Sequence, residues 1–519
     1  MSGRALPRIF ARVGPLALAL VPFGALAIWH VNWAPAAEWG DFAQYILHAQ
    51  TFLNGKPYTD IGYIYTPETA SIGPAAYPPG LPIVLAPILA LSGVHMGVLR
   101  LFTLSCMIAF GALAYARLSR VVTAPVAAAG VGLALFDIEA KLGTLVPMSD
   151  VPFCALAWLL IWVADRQERW SWSRTTAVTV LGFAMIGFRL AGVAIVPALA
   201  LFGLLGWRRR GLRPLVPVAI WVAAGLAAIA FGVFRNPYPN VAGNGMDLAL
   251  RLFNLRNNYR HVLPELVLYP FPANLLNDIY HLLIAPVVIV GGFVVLRRLG
   301  ASLLSCFAAA YAGMLLAVQV GEMRYVWPFL PILGASFAQG LVMLNGRFSR
   351  RKQPEGSSVV VVPRAALAVL ALLMTGALVR QLSVPGPFAI TGTPDATNLY
   401  HWLAEEHARR PARAMFHNPR VVTLLSGVPA KGLPDRSAPG QLVSVDQWRI
   451  SHLVWQQPMA SSCVQRLANQ LPALYPERFE LAFENATFRV YRVRPTDTPF
   501  RGKYERIDWR RPNTLCGSS

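Results

Sequence analysis

Asp41, Tyr45 and His48 stand at positions i, i+4 and i+7, a spacing that puts all three on one face of a helix, with Glu38 just before it. A carboxylate held there can take a proton from an attacking hydroxyl or help hold a divalent metal; as a helix N-cap, Asp41 would do neither. Further acids follow in Asp137-Ile138-Glu139 and Ser149-Asp150-Val151-Pro152. They can serve as a base and its partner, as metal ligands, or as solvated loop acids with Asp150 capping the next helix. Arg189 and Arg324, the latter followed by Tyr325, sit in apolar surroundings. A cation there is costly and suggests a function, and the planar guanidinium fork suits a phosphate. Pairing with Glu322 or Asp150 is the alternative. Tyr77, in Tyr77-Pro78-Pro79-Gly80, adds a phenol at a turn.

These groups are carried by an apolar chain. Of 519 residues 55% are hydrophobic and 14% charged, against about 25% charged in soluble domains. This composition predicts a polytopic α-helical membrane protein. The net charge of +21 comes as short Arg clusters between apolar runs, the pattern of cytoplasmic loops rather than of a nucleic-acid binder. Arg4, Arg8 and Arg12 precede the run from about Gly14 to Trp29, which puts the N-terminus inside and makes that run a first span.

Residues 31–95 then form a long outer loop. Within it Asp41 to Leu53 reads as a helix ended by Asn54-Gly55, and Pro78 to Leu91 as a proline-punctuated helix along the surface. Spans over Met96–Ala116, Val121–Leu135 and Val151–Ala164 follow. Residues 175–206 lie between two basic loops and so form a hairpin turning near Arg189, with legs of about 15 residues, short of a full crossing. After Pro214–Val233 comes a second outer loop, about 234–278, with Arg235, Arg251, Arg256 and Arg260. Ile279–Leu296, Ala301–Val320, Val326–Leu344 and Ala365–Leu382 complete about eleven spans or half-spans, N-terminus in and C-terminus out.

From Ser383 the composition becomes that of a soluble outer-face α/β domain. Helices are predicted at Asn398–Arg409 and Cys463–Leu474, strands at Ala412–Phe416 and Gln441–Trp455, and a hairpin over Arg478–Val493 turning at Glu484-Asn485. The domains are thus 1–382, including the outer loop 31–95, and 383–519. Cys106, Cys154 and Cys306 lie in apolar runs; Cys463 and Cys516 can pair in an oxidising compartment or stay free. No P-loop, dinucleotide fingerprint, metalloprotease helix or nucleophile elbow occurs.

The parts fall in a telling order: Gly40-Asp41-x-x-x-Tyr45-x-x-x-Ala49, Asn54-Gly55-Lys56-Pro57-Tyr58, Tyr77-Pro78-Pro79-Gly80-x-Pro82, Ser149-Asp150-x-Pro152-Phe153, Arg189-Leu190-Ala191-Gly192, Arg324-Tyr325-x-x-Pro328, then the outer domain. Over nearly the whole chain this resembles the GT-C superfamily of integral membrane glycosyltransferases, akin to the lipid A aminoarabinose transferases and protein O-mannosyltransferases. The resemblance implies a sugar donor on polyprenyl phosphate, a lipid, glycan or protein acceptor, attack at the anomeric carbon, usually with inversion, and a site at the outer surface of the membrane; the Arg- and Ala-rich usage and compact loops point to a bacterial inner membrane. It matches Asp41 to the first-loop acid, a base or metal-associated carboxylate, and one of Asp150, Asp137 and Glu139 to the next loop's acid. Arg324, then Arg189, would take the donor phosphate, with Glu38, Tyr45, His48, Tyr77 and Tyr325 in support. The chain departs from those relatives in lacking an Asp-Glu pair after the first span and in having Tyr77-Pro78-Pro79 for their Lys-Pro-Pro. A lipid-carrier flippase or a cell-envelope polymer ligase is the alternative reading.

Overall fold

The computed structural model describes residues 14–17, 20–25, 27–28, 40–66, 73–135, 146–165, 170–230, 275–317, 323–349, 368, 372, 375, 393–434, 438–457 and 463–496. Glu38, Asp137, Glu139, Glu322, the arginines of 234–278 and Cys516 lie outside them, and so does the pairing of Cys463 with Cys516. Contacts divide the chain into two units, Met1–Trp33 with Gly97–Pro385 and Ala34–Met96 with Gly386–Ser519.

In the first unit, uninterrupted runs of Leu, Val, Ala and Phe make helices at Met96–Leu118, Ala124–Leu135, Asp150–Ala164, Trp172–Phe188, Ile195–Leu205, Leu215–Ala230, Leu275–Leu299, Leu303–Ala317 and Leu330–Ser349. Among the described residues, two stretches are long and apolar enough to cross a membrane, Met96–Leu118 and Arg324–Leu344; the second is 72% buried and therefore packs against protein on most of its surface. It does so through small residues. A Cβ on Gly130 would overlap the backbone of Ala335, one on Gly334 the backbone of Gly130, and one on Gly340 the carbonyl of Val287. The Leu330–Ser349 helix thus lies backbone to backbone against both Ala124–Leu135 and Leu275–Leu299, a packing mode that works where apolar solvation does not drive helices together. The hairpin expected over 175–206 is present, with legs of 17 and 11 residues joined at Arg189 and a short 3-10 turn, Leu190–Ala194.

The second unit is built on a six-stranded sheet. Its strands are β1 Tyr63–Ile64, β2 Ala414–Met415, β3 Ala430–Lys431, β4 His452–Gln456, β5 Phe479–Glu484 and β6 Phe488–Val493. The order is β1-β3-β2-β4-β6-β5, parallel from β1 to β4 and antiparallel from β4 through β6 to β5. Register is set by Tyr63 opposite Ala430, Ala414 opposite both Ala430 and His452, and Val454 opposite Val490. Met415, Leu442, Val445, Ile450, Leu453, Leu471 and Phe479 fill one core. The Gly40–Leu53 helix buries Phe42, Ile46, Leu47 and Ala49 and ends, as its Asn54-Gly55 suggests, where Gly55 takes φ +62°. It packs on the Gly80–Ser92 helix and on Pro419–Ser426.

Two expectations are revised. Gln441–Trp455 is not one strand: Ala438–Gln447 is a helix, and β4 starts only at His452. Leu442 and Val445 both enter the core, a three-residue spacing that a helix allows and an alternating strand does not. Residues 31–95 were also expected to group with the spans, yet Ala34–Met96 groups with the C-terminal part. The reason is β1, which closes the parallel edge of the sheet on β3, together with the helix contact between Gly40–Leu53 and Pro419–Ser426.

Candidate functional site

Within the second unit, Asp41 lies in the first turn of its helix rather than at the cap, since the helix begins at Gly40. Helix Pro419–Ser426 comes so close that a Cβ on Gly40 would stand 2.6 Å from Asn418 Oδ1. That approach delivers Arg420. Its Nη1 donates to Asp41 Oδ1 at 2.7 Å, and Tyr77 Oη donates to the same oxygen at 2.6 Å. Arg420 Nη1 also donates to Tyr77 Oη at 2.8 Å, closing a three-membered ring of hydrogen bonds. The Arg420 side chain is 6% exposed and that of Asp41 25%, so the cation is sequestered while the carboxylate keeps an open side. The guanidinium also lies 5.7 Å from the ring of Tyr63 and 5.5 Å from that of Tyr77.

Tyr45 and His48 share the Asp41 face, as their spacing predicts, but they brace the loop. Tyr45 meets Tyr77 edge to face at 5.2 Å, and His48 stacks on Tyr58 at 4.0 Å. His48 Nδ1 lies 2.7 Å from the carbonyl of Tyr58, which assigns the proton to Nδ1 and leaves Nε2 to accept from Gln44 Nε2 at 3.3 Å. Burial pushes the His48 imidazole down to about 4, against weaker support for the cation from backbone carbonyls. Burial likewise drives the Tyr77 phenol well above 10, so Tyr77 acts as a donor to Asp41.

His48 is one of three such imidazoles in this unit; burial also takes His417 and His452 down to about 4. Between about 4 and 6.5 the unfolded chain therefore binds more protons than the folded one, and stability rises with pH. The contribution is complete above 6.5 and lost on descent toward 4, up to about 3 kcal/mol for each imidazole. Protection factors of β2, β3 and the Gly40–Leu53 helix, corrected for the slower intrinsic amide exchange at lower pH, should fall steeply between pH 6.5 and 4.5. Unchanged protection over that window would contradict the burial of the three rings.

In the first unit the sequence-singled residues form a second group. Ser149 precedes the Asp150–Ala164 helix, and Asp150 lies in its first turn, 2% exposed. Arg189, at the break of the hairpin, forms an ion pair with Asp150 at 2.5 Å and lies 3.5 Å from Ser149 Oγ. Its guanidinium is 4.7 Å from the centre of the Tyr325 ring, and that of Arg324 is 5.8 Å from the same ring. Trp158 Nε1 donates to the carbonyl of Pro328 at 2.9 Å and so fixes the 3-10 turn Met323–Phe329 that carries Arg324 and Tyr325. Of the two pairings open to Arg189 from sequence, the internal one with Asp150 is realised.

The described residues include no group of three His, Cys, Asp or Glu side chains that could share a metal ion. Oδ1 of Asp41 is held by a cation and a phenol. With both donors on it, that oxygen is not open to a divalent metal.

Comparison with solved structures decides the architecture. ArnT from Cupriavidus metallidurans bound to undecaprenyl phosphate is similar over 92% of this chain and 97% of its own, at 13% identity and a TM-score of 0.57. The archaeal oligosaccharyltransferase AglB from Archaeoglobus fulgidus, in complex with an inhibitory peptide and a dolichol-phosphate, is similar over 95% of this chain and 75% of its own, at 11% identity and a TM-score of 0.55. The chain has a GT-C fold. No protein-family model matches it, and no curated protein matches its sequence. At 13% and 11% identity the likeness is one of fold.

Within the GT-C fold Arg420 is the residue that sequence reasoning missed. Its neighbourhood, Asn418-Pro419-Arg420-Val421-Val422-Thr423-Leu424-Leu425, shows only a proline-initiated apolar run. The Pro at the first helical position was the one local signal for a helix start there.

Proposed function

We propose that this protein is a multi-pass membrane glycosyltransferase that moves a sugar from a polyprenyl-phosphate donor to an acceptor hydroxyl or amine. The observation that carries the reading is likeness across almost the entire chain to two solved structures, one bound to undecaprenyl phosphate and the other in complex with a dolichol-phosphate. A donor on an isoprenoid chain also suits a protein with this many apolar helices. In this reading the N-terminus is cytoplasmic, the Gly386–Ser519 part faces the outside of a bacterial inner membrane, and the acceptor is a lipid, glycan or protein.

The acceptor heteroatom forms its bond to the anomeric carbon as the bond from that carbon to the phosphate oxygen breaks, with inversion. Asp41 accepts the acceptor's proton. The electron pair leaves with the polyprenyl phosphate, whose growing charge calls for a cation; within the first unit, Arg324 carries the parallel donors that suit a phosphate. Arg189 is proposed as an electrostatic support to that role rather than a primary phosphate ligand, because Asp150 already balances its charge. Tyr77 holds Asp41, and Tyr325 holds the two arginines by their faces.

The test is a product analysis. The purified full-length protein is incubated in bilayers with radiolabelled sugar on polyprenyl phosphate and a membrane extract as acceptor. A new glycoside together with released polyprenyl phosphate is expected. Movement of intact labelled lipid between leaflets, with no glycoside formed, would replace this reading by that of a flippase.

A further inference from the structure

Arg420 reaches Asp41 from 379 positions away, and at 6% exposure it is among the more deeply buried charged side chains of the second unit. Its charge must be balanced where it is, and Asp41 balances it through a charge-assisted hydrogen bond of 2.7 Å. Among the described residues, titratable groups gathered around this cluster include Tyr45 and His48 on the Asp41 helix, Tyr58 and Tyr77 from the following loop, and Tyr63 from β1. Burial keeps His48 neutral above about 4 and holds the phenols of Tyr58 and Tyr77 protonated. Of these neighbours, Arg420 is therefore the one that brings positive charge to Asp41 at neutral pH.

We propose that Arg420 is a positioning residue of the transfer reaction: it keeps Asp41 ionised and fixes its carboxylate in one orientation, with Tyr77 as the second holder. The inference rests on the glycosyl-transfer reading for its catalytic meaning, while the electrostatic coupling itself does not. Two donors converge on Oδ1, and the guanidinium is itself held between the faces of Tyr63 and Tyr77. An opposite charge in contact favours the ionised carboxylate, and convergent donors restrict its rotation. A latch that merely joined the Pro419–Ser426 helix to Gly40–Leu53 would lower stability when cut. It would not move the acid limb of a pH–rate profile.

The experiment uses the full-length protein in bilayers as wild type, Arg420→Met, Arg420→Lys and Tyr77→Phe. Two midpoints are read: the acid limb of kcat/KM for sugar transfer, and the pH at which dicyclohexylcarbodiimide modifies Asp41 in the absence of donor, followed by peptide mass spectrometry. Arg420→Met should move both midpoints upward by at least about one pH unit, because a carboxylate beside a guanidinium is held ionised to lower pH. Arg420→Lys should bring both midpoints most of the way back to those of wild type, and Tyr77→Phe should produce a smaller upward shift. A folded Arg420→Met protein whose labelling midpoint coincides with that of wild type overturns the inference. If Arg420→Met does not fold, Arg420→Lys and Tyr77→Phe decide it, and no displacement in Tyr77→Phe counts against it. A displaced labelling midpoint in a protein that forms no glycoside would leave the coupling standing and remove the transfer reading instead.

Discussion

Asp41→Asn is expected to reduce sugar transfer by roughly 10²- to 10⁴-fold, the range that a positioned general base contributes. The substitution keeps the carbonyl oxygen that Tyr77 and Arg420 address at 2.6 and 2.7 Å and removes the charge and the proton acceptor. It also leaves the buried guanidinium of Arg420 without a counter-ion, a change that typically costs about 3–5 kcal/mol. Loss of activity must therefore be separated from loss of fold. The double substitution Asp41→Asn with Arg420→Met removes both charges and should recover much of the thermal stability while remaining inactive. Asp41→Glu keeps the charge and should retain partial activity. Transfer at the wild-type rate by Asp41→Asn would refute the base assignment, whatever the stability measurements show.

The second large effect is on the Asp150–Arg189 pair. With Asp150 2% exposed and the arginine side chain 12% exposed, Asp150→Ala strands a cation in apolar surroundings. A loss of about 3–5 kcal/mol is expected, seen as a marked fall in Tm in detergent. Arg189→Met strands the carboxylate and should cost a similar amount. The paired change Asp150→Leu with Arg189→Met replaces the ions by apolar groups of comparable size and should return the protein near wild-type stability, since desolvation offsets most of the Coulombic gain of a buried pair. If Asp150→Ala unfolds at the wild-type temperature, Arg189 is neutralised by another group and the assignment of this pair as the balance for its charge fails. Comparing transfer by the paired variant with that by wild type would show whether the arginine supports the donor phosphate beyond balancing Asp150.

What could be read from sequence follows from the range of the interactions concerned. The Gly40–Leu53 helix, its end at Asn54-Gly55 and the hairpin breaking at Arg189 depend on residues within a few positions, and all were legible. The face carrying Asp41, Tyr45 and His48 was legible too, by helical spacing alone. Its use was not, because the partners of Tyr45 and His48 are a loop that folds back through Tyr58 and Tyr77. Arg420 was hidden for the same reason on a larger scale: nothing local marks an arginine whose counter-ion lies 379 positions earlier. Two-residue strands such as β1 and β3 are too short to show alternation and exist only because they pair. The misreading of Gln441–Trp455 arose where Val443, Val445, Ile450 and Val454 favour strands locally, while the core takes Leu442 and Val445 from one helical turn. Asp150 and Arg189 were each noticed as ionisable groups in apolar runs; that they would choose each other depended on the hairpin bringing its break beside the start of another helix.

The pairing of β1 with β3 also sets an order of events during synthesis. Thr66, just after β1, accepts no hydrogen bond from Lys431 Nζ until that residue exists, and the two are 365 positions apart in a hydrogen bond of 2.7 Å. At 5–20 residues per second, roughly 20 to 70 s pass between the emergence of one partner and the other. For that interval the Tyr63–Ile64 edge and the polar face around Asp41 have no sheet to join. A nascent chain of this kind exposes an unpaired strand and a carboxylate without its cation, and it reaches its final arrangement only after the last parallel strand is made. Chains truncated before Ala430 should therefore be cleared by proteolysis with the 40–66 segment as an early point of cleavage, even though that segment is complete in sequence.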